Sequence, residues 1–145
     1  MSAGYSGTPL ARKLGLKSGM SVAFLKAPEH LPQLLGELPD GVSVAKRLTG
    51  HLDLVLTFVQ RAGDLAGDVP ALKSAIAPDG MIWVAWPKRA SKLPTDMTED
   101  VIREVVLPTG LVDVKVCAID DTWSGLKLVI RKELRPSRAA RASRS

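Results

Sequence analysis

Cysteine occurs once (Cys117), histidine twice (His30, His51), and aromatic residues make up only 4% of the 145 positions. A lone thiol excludes a disulfide framework and suits a reducing compartment, so a cytoplasmic location is expected. With His30 near a predicted helix start and His51 in a polar turn, imidazole chemistry has little material. No Cys/His/carboxylate spacing marks a metal site, and Asp120–Asp121 alone does not make one. The string GYSG (4–7) lacks G-x-S-x-G spacing and follows no strand, which disfavours hydrolase chemistry. Cys117 has no histidine nearby in sequence and reads as a quiet structural thiol. The longest unbroken apolar run, Met81 to Trp86, is far below the ~18 residues a membrane span requires. No basic-then-apolar leader opens the chain, so no secretory signal and no membrane partner are expected.

What is present is an ordinary globular composition, 46% hydrophobic and 24% charged. The length fits one domain, drawn here as residues 1–132, followed by an arginine-rich tail at 133–145. The net charge of +5 resides in the last fifteen residues, 131–145, which include that tail. Residues 131–145 hold six cations and one acid, whereas residues 1–130 hold fourteen of each and are neutral. The tail has almost no apolar bulk, and its arginines recur at Arg135, Arg138, Arg141 and Arg144. Such a run is expected to be unstructured in isolation and can meet phosphate backbones or an anionic surface through charge alone.

Periodicity separates two kinds of strand. Ser21–Leu25, Leu54–Val59 and Met81–Trp86 are nearly continuous apolar runs, as parallel strands covered on both faces require. Val112–Ala118 alternates, with Val112, Val114, Val116 and Ala118 on one side and Asp113, Lys115 and Cys117 on the other. Leu126–Ile130 alternates in part, and the two read as an antiparallel pair at a sheet edge. Val42–Ala45 is a weaker strand for the opposite edge.

Helical segments lie between them. Thr8 is placed to cap a short helix that opens with Pro9 and closes at Gly15. Glu29–Leu38 carries Leu31, Leu34, Leu35 and Leu38 on one face. Leu65, Val69, Leu72 and Ile76 form a further stripe, with regular helix expected to start near Pro70. Asp96 and Glu99 have capping-box spacing ahead of Val101, Ile102, Val105 and Val106. The resulting order predicts an open α/β sheet, Rossmann-like and mostly parallel, with strand order 2-1-3-4-6-5 and strand 6 antiparallel.

This architecture, with LGLKSGMSVAFL (14–25) leading into the first strand, resembles a class I S-adenosylmethionine-dependent methyltransferase lacking one βα unit. Aligned on that family's acidic-x-Gly-x-Gly pattern, Phe24 takes the acidic position, and Lys26 and Pro28 take the first two glycines. Glycines allow the backbone to approach the ligand closely, and Pro28 has no N–H to offer. Lys46 and Arg47 stand where the resemblance implies a ribose-binding acid after strand 2. No cofactor is therefore expected. A second resemblance covers about residues 3–131 through GYSGTPLARKLG (4–15), WVAWPKRAS (83–91), TDMTEDVIRE (95–104) and GLVDVKVCAIDDTWSGLKLVIR (110–131). These strings look like a bacterial domain family of unknown function, which implies a small cytoplasmic Rossmann-like protein and no particular activity.

Open α/β sheets bind ligands at the carboxyl ends of their strands. There strand 1 ends at Lys26, strand 2 at Lys46–Arg47, strand 3 at Arg61 and strand 4 at Lys88–Arg89. Strand 5 ends at Asp120–Asp121 and leads to Trp123 and Ser124, placing that hairpin loop on the same edge. Tyr5 and Trp123 are the aromatics outside the apolar runs. The expected site is thus Lys26, Arg61, Lys88 and Arg89 for charge, Trp123 for a flat face and Ser124 for a hydrogen bond. It would suit an anionic small molecule or a protein partner without catalysis. Two other readings stand beside it. One is a divergent transferase using Asp96 or Asp120 as base, and the other a nucleic-acid-associated protein acting through its tail.

Overall fold

The three apolar runs form the centre of a single sheet in the computed structural model, which describes residues 9–48 and 50–135. Tyr5, the GYSG string, the Thr8 cap and Arg138, Arg141 and Arg144 lie outside the described residues. The strands are β1 (Ser21–Leu25), β2 (Ser43–Ala45), β3 (Leu52–Phe58), β4 (Ile76–Pro87), β5 (Leu111–Ala118) and β6 (Trp123–Ile130). Their order is β2-β1-β3-β4-β6-β5, as the sequence pattern requires. Strands β1 to β4 pair in parallel, and β6 runs antiparallel to both neighbours.

Helices cover both faces. On one side α3 (Ala62–Ala75) and α4 (Glu99–Val106) bury Leu65, Val69, Leu72, Ile102 and Val106 against Val55, Val84 and Leu126. On the other, α1 (Leu10–Leu14) and α2 (Leu31–Leu35) bury Leu10, Leu14, Leu31 and Leu35 against Val22, Leu54, Leu56 and Trp83. Each fully buried leucine contributes roughly 1.5–3 kcal/mol of transfer free energy. Trp83 is wholly buried, and its indole Nε1–H donates to the Leu14 carbonyl at 2.9 Å, so α1 is fastened to the sheet at that point. Gly15 ends α1 with φ 90°, a conformation open to glycine at little cost. Gly125 sits where a Cβ would come within 3.0 Å of Ile119 and 3.2 Å of Trp83, so any larger residue there would have to push these side chains aside.

Four local expectations are corrected. Helix α3 begins at Ala62 and runs through Pro70 without a break, because its first turn is anchored from outside and its apolar stripe is continuous. Helix α2 spans only Leu31–Leu35, ended by Gly36 with φ 70°. Thr98, and not Asp96, caps α4: its Oγ1 accepts from Val101 N at 3.1 Å. Finally, β5 changes register between Asp113 and Lys115, which breaks the even alternation. Asp113 faces α4, where it meets Arg103 at 2.9 Å, and shares that side with Val116. Lys115 and Cys117 face the opposite side. Among the described residues no helix is long and apolar enough to cross a membrane.

Candidate functional site

The parallel strands deliver their carboxyl ends to one edge, and the segments after β3 and β4 are stitched together there. Gln60 Nε2 donates to the Pro94 carbonyl at 3.1 Å, and Thr95 Oγ1 donates to the Gln60 carbonyl at 2.6 Å. Asp96 Oδ1 accepts from Ala62 N, the first residue of α3, at 2.8 Å. A carboxylate at a helix N-terminus satisfies one of its free N–H groups and complements the helix dipole. This stitching pulls Asp96 away from α4 and leaves capping to Thr98.

Beside the stitch lies a cavity of about 310 Å³ beyond the end of β4. Trp86, Pro87, Leu93 and Met97 give it an apolar wall, and Arg89, Thr95, Asp96 and Thr98 give it a polar one. Arg89 opens a short 3-10 turn (Arg89–Ser91) and is exposed. Its guanidinium has no hydrogen-bond or ion-pair partner among the described residues. Ser124 lies directly opposite Trp86 in the β4–β6 ladder, next to the cavity floor. Lys88 donates its backbone N–H to the Thr122 carbonyl at 2.8 Å, which ties the segment after β4 to the hairpin.

The other cations are placed differently. Lys26 Nζ meets Asp68 Oδ2 on α3 at 3.0 Å, so its charge is answered within the fold. Arg61 immediately precedes α3, on the same side of the sheet as the cavity. Arg135 turns back on the end of β6, its Nε donating to the Ile130 carbonyl at 2.8 Å. Trp123 opens β6 opposite Pro87 and packs edge-on against Phe58 at 5.1 Å, within the α1/α2 side of the core. The edge is therefore divided, with Arg89, Arg61 and Ser124 on the α3/α4 side and Trp123 on the other.

That second side is also bridged. His30 Nε2 lies 2.9 Å from Asp120 Oδ2, linking the segment after β1 to the hairpin. Asp120 Oδ1 accepts from both Thr122 N and Trp123 N at 2.8 Å, so this carboxylate shapes the turn that seats Trp123. Sequence reasoning missed Thr57, whose hydroxyl is buried one residue from the end of β3 with no hydrogen-bond partner among the described residues. The signal was there, a single hydroxyl inside Leu52–Phe58.

Solved structures of the same architecture are known. The chain superposes on a SAM-dependent methyltransferase from Aquifex aeolicus with TM-score 0.60 and 15% identity, covering 83% of this chain and 87% of that one. With a putative type 11 methyltransferase from Sulfolobus solfataricus the TM-score is 0.61 at 14% identity, over 94% and 98% of the two chains. The fibrillarin pre-rRNA processing protein of Methanococcus jannaschii gives 0.59 at 12% identity, over 86% and 69%. The fold is that of the class I methyltransferases. No family model matches the chain, and no curated protein matches it in sequence.

Within a methyltransferase fold, the turn after β1 must let backbone approach the cofactor. Lys26 adopts φ 55° there, a left-handed turn built on a residue with a full side chain. That conformation costs an L-residue roughly 1–2 kcal/mol, and glycine is spared the cost. Pro28, two residues on, has no N–H, and its carbonyl accepts from Leu31 N at 3.1 Å. Phe24 is partly buried and packs against the α1/α2 side of the core, where the family pattern has an acid. These residues do not fit S-adenosylmethionine in the family's pose.

Proposed function

We propose that the chain is a methyltransferase-fold binding module that has given up the cofactor loop and holds a small anionic ligand beyond β4. The observation that carries this reading is Arg89, a guanidinium unanswered among the described residues, on the wall of a cavity also lined by Trp86. A planar fork of donors beside an apolar surface suits a phosphate or carboxylate on a ring or short aliphatic body. Thr95, Thr98 and Ser124 supply hydroxyls nearby, while Arg61 and Lys88 add positive potential to the same edge. Lys26, held by Asp68, takes a structural part. Trp123 acts as a plug in the core against Phe58. A protein partner presenting an acidic side chain to Arg89 would use the same chemistry. The single, partly buried thiol is in keeping with a reducing, cytoplasmic setting.

Asp96 on the cavity wall supports a second reading, a divergent transferase with Asp96 as base. Its Oδ1 already holds the Ala62 N–H, and both oxygens of Asp120 are engaged in the hairpin and with His30. The binding reading therefore ranks first. An NMR titration of the full chain with phenyl phosphate tests it. Amide shifts confined to the cavity residues from Trp86 to Thr98, and abolished by Arg89→Ala, are the expected result. Shifts unchanged in Arg89→Ala would overturn the assignment.

A further inference from the structure

The face of β5 and β6 that lies beyond α1 carries a second feature, unrelated to the carboxyl edge. Lys115 on β5 is registered directly opposite Lys127 on β6. Like charges placed directly across a ladder destabilise it. Lys127 is in turn registered opposite Trp83, whose indole holds the Leu14 carbonyl at the end of α1. Lys13 and Lys17 flank that point on either side of Leu14–Leu16. Four lysines thus run from the end of α1 across β6 to the edge strand β5. None has a hydrogen-bonded or ion-paired acid among the described residues. Burial, together with the neighbouring Lys115 and Lys17, pushes the Lys127 ammonium below its ordinary pKa.

The bulge after Asp113 is what turns Lys115 to the lysine face, since even alternation from Asp113 would leave both residues on the same side as Arg103. We infer that this lysine face is a docking surface for the phosphate backbone of a double-stranded nucleic acid. Adjacent strands set Lys115 and Lys127 about 4.8 Å apart, and with Lys13 and Lys17 they present point charges to a line of phosphates. Lysine ammonium groups suit sequence-blind phosphate contact. Membrane attachment would need exposed aromatic or leucine side chains to enter the bilayer. The exposed leucines, Leu93, Leu107 and Leu134, belong to other segments, and Trp83 is fully buried.

Fluorescence anisotropy of a short labelled DNA duplex with the full chain tests this. Four phosphate contacts give a slope of log affinity against log salt of about −3.6. Lys115→Gln with Lys127→Gln should lower that slope by about 1.8 and weaken binding roughly 60-fold near 0.1 M salt. The melting temperature of this double variant should equal or exceed that of the wild type, because a repulsive pair is removed. Lys17→Gln, at an exposed loop position, should alone weaken binding roughly eightfold and covers the case of a misfolded double variant. Arg138→Ala with Arg141→Ala and Arg144→Ala must leave the effect of the lysine substitutions intact. Unchanged affinity and slope in the lysine variants would overturn the inference. So would binding to phosphatidylserine vesicles without binding to the duplex.

Discussion

His30 and Asp120 stand 90 positions apart in sequence and meet at 2.9 Å, closing one half of the carboxyl edge. The two residues contribute unequally. Asp120 also accepts from Thr122 N and Trp123 N, whereas the His30 ring is half exposed. Asp120→Ala leaves two backbone donors unanswered and should cost about 2 kcal/mol. His30→Ala removes one exposed contact and should cost under about 1 kcal/mol. Urea unfolding of both variants measures the difference, and equal losses would show that the turn does not depend on Asp120.

At Lys26, the left-handed backbone and the side-chain pairing pull in opposite directions. The exposed Lys26–Asp68 pair is worth little, while φ 55° is costly for any residue with a Cβ. Lys26→Gly should therefore be more stable than Lys26→Ala by about 0.5–1 kcal/mol, after the entropy of glycine in the unfolded chain is counted. Denaturant midpoints compare the two, and an alanine variant as stable as the glycine one would mean the turn relaxes.

Much of this was legible in the sequence, and the parts that were not share a cause. Continuous apolar runs identify β1, β3 and β4, because buried parallel strands have no solvent face to mark with polar residues. The hairpin of β5 and β6, and with it the strand order, follows from alternation. What misleads is any residue whose role is set by a distant partner. Pro70 looks like a helix start, yet α3 begins at Ala62, where Asp96 from another segment satisfies the first N–H. Trp123 looks like a loop aromatic until Phe58 is seen beneath it. Strand-end cations gather at one edge in the sequence reading, but which of them are already paired depends on α3, and so Lys26 and Arg89 separate only in three dimensions. The lysine face was invisible because a bulge rotates Lys115 out of the simple period.

Thr57 gives a direct probe of the ground beneath that edge. A buried hydroxyl without a partner costs about 1–3 kcal/mol, and valine has the same shape without the polar group. Thr57→Val should raise stability by about 1 kcal/mol. A comparable loss would show that the hydroxyl is hydrogen-bonded in solution.

Cys117 sets a pH dependence. Burial lifts its thiol above the ordinary value, and the opposing pull of Lys13 and Lys115 is smaller. A folded pKa above the unfolded one stabilises the fold fully below the unfolded pKa, and that stability is lost as pH rises through the folded one. The wild type should thus lose stability above about pH 8.5, where the unfolded thiol ionises, and Cys117→Ser should lose less. Identical alkaline profiles would mean the thiol is solvated.

Calorimetric titration of the full chain with S-adenosylmethionine bears most directly on a methyltransferase fold without its cofactor loop. With Lys26 and Pro28 in place of the glycines and Phe24 in place of the acid, no saturable heat is expected at micromolar cofactor. Stoichiometric micromolar binding would contradict it, and would return the chain to the transferases whose fold it shares.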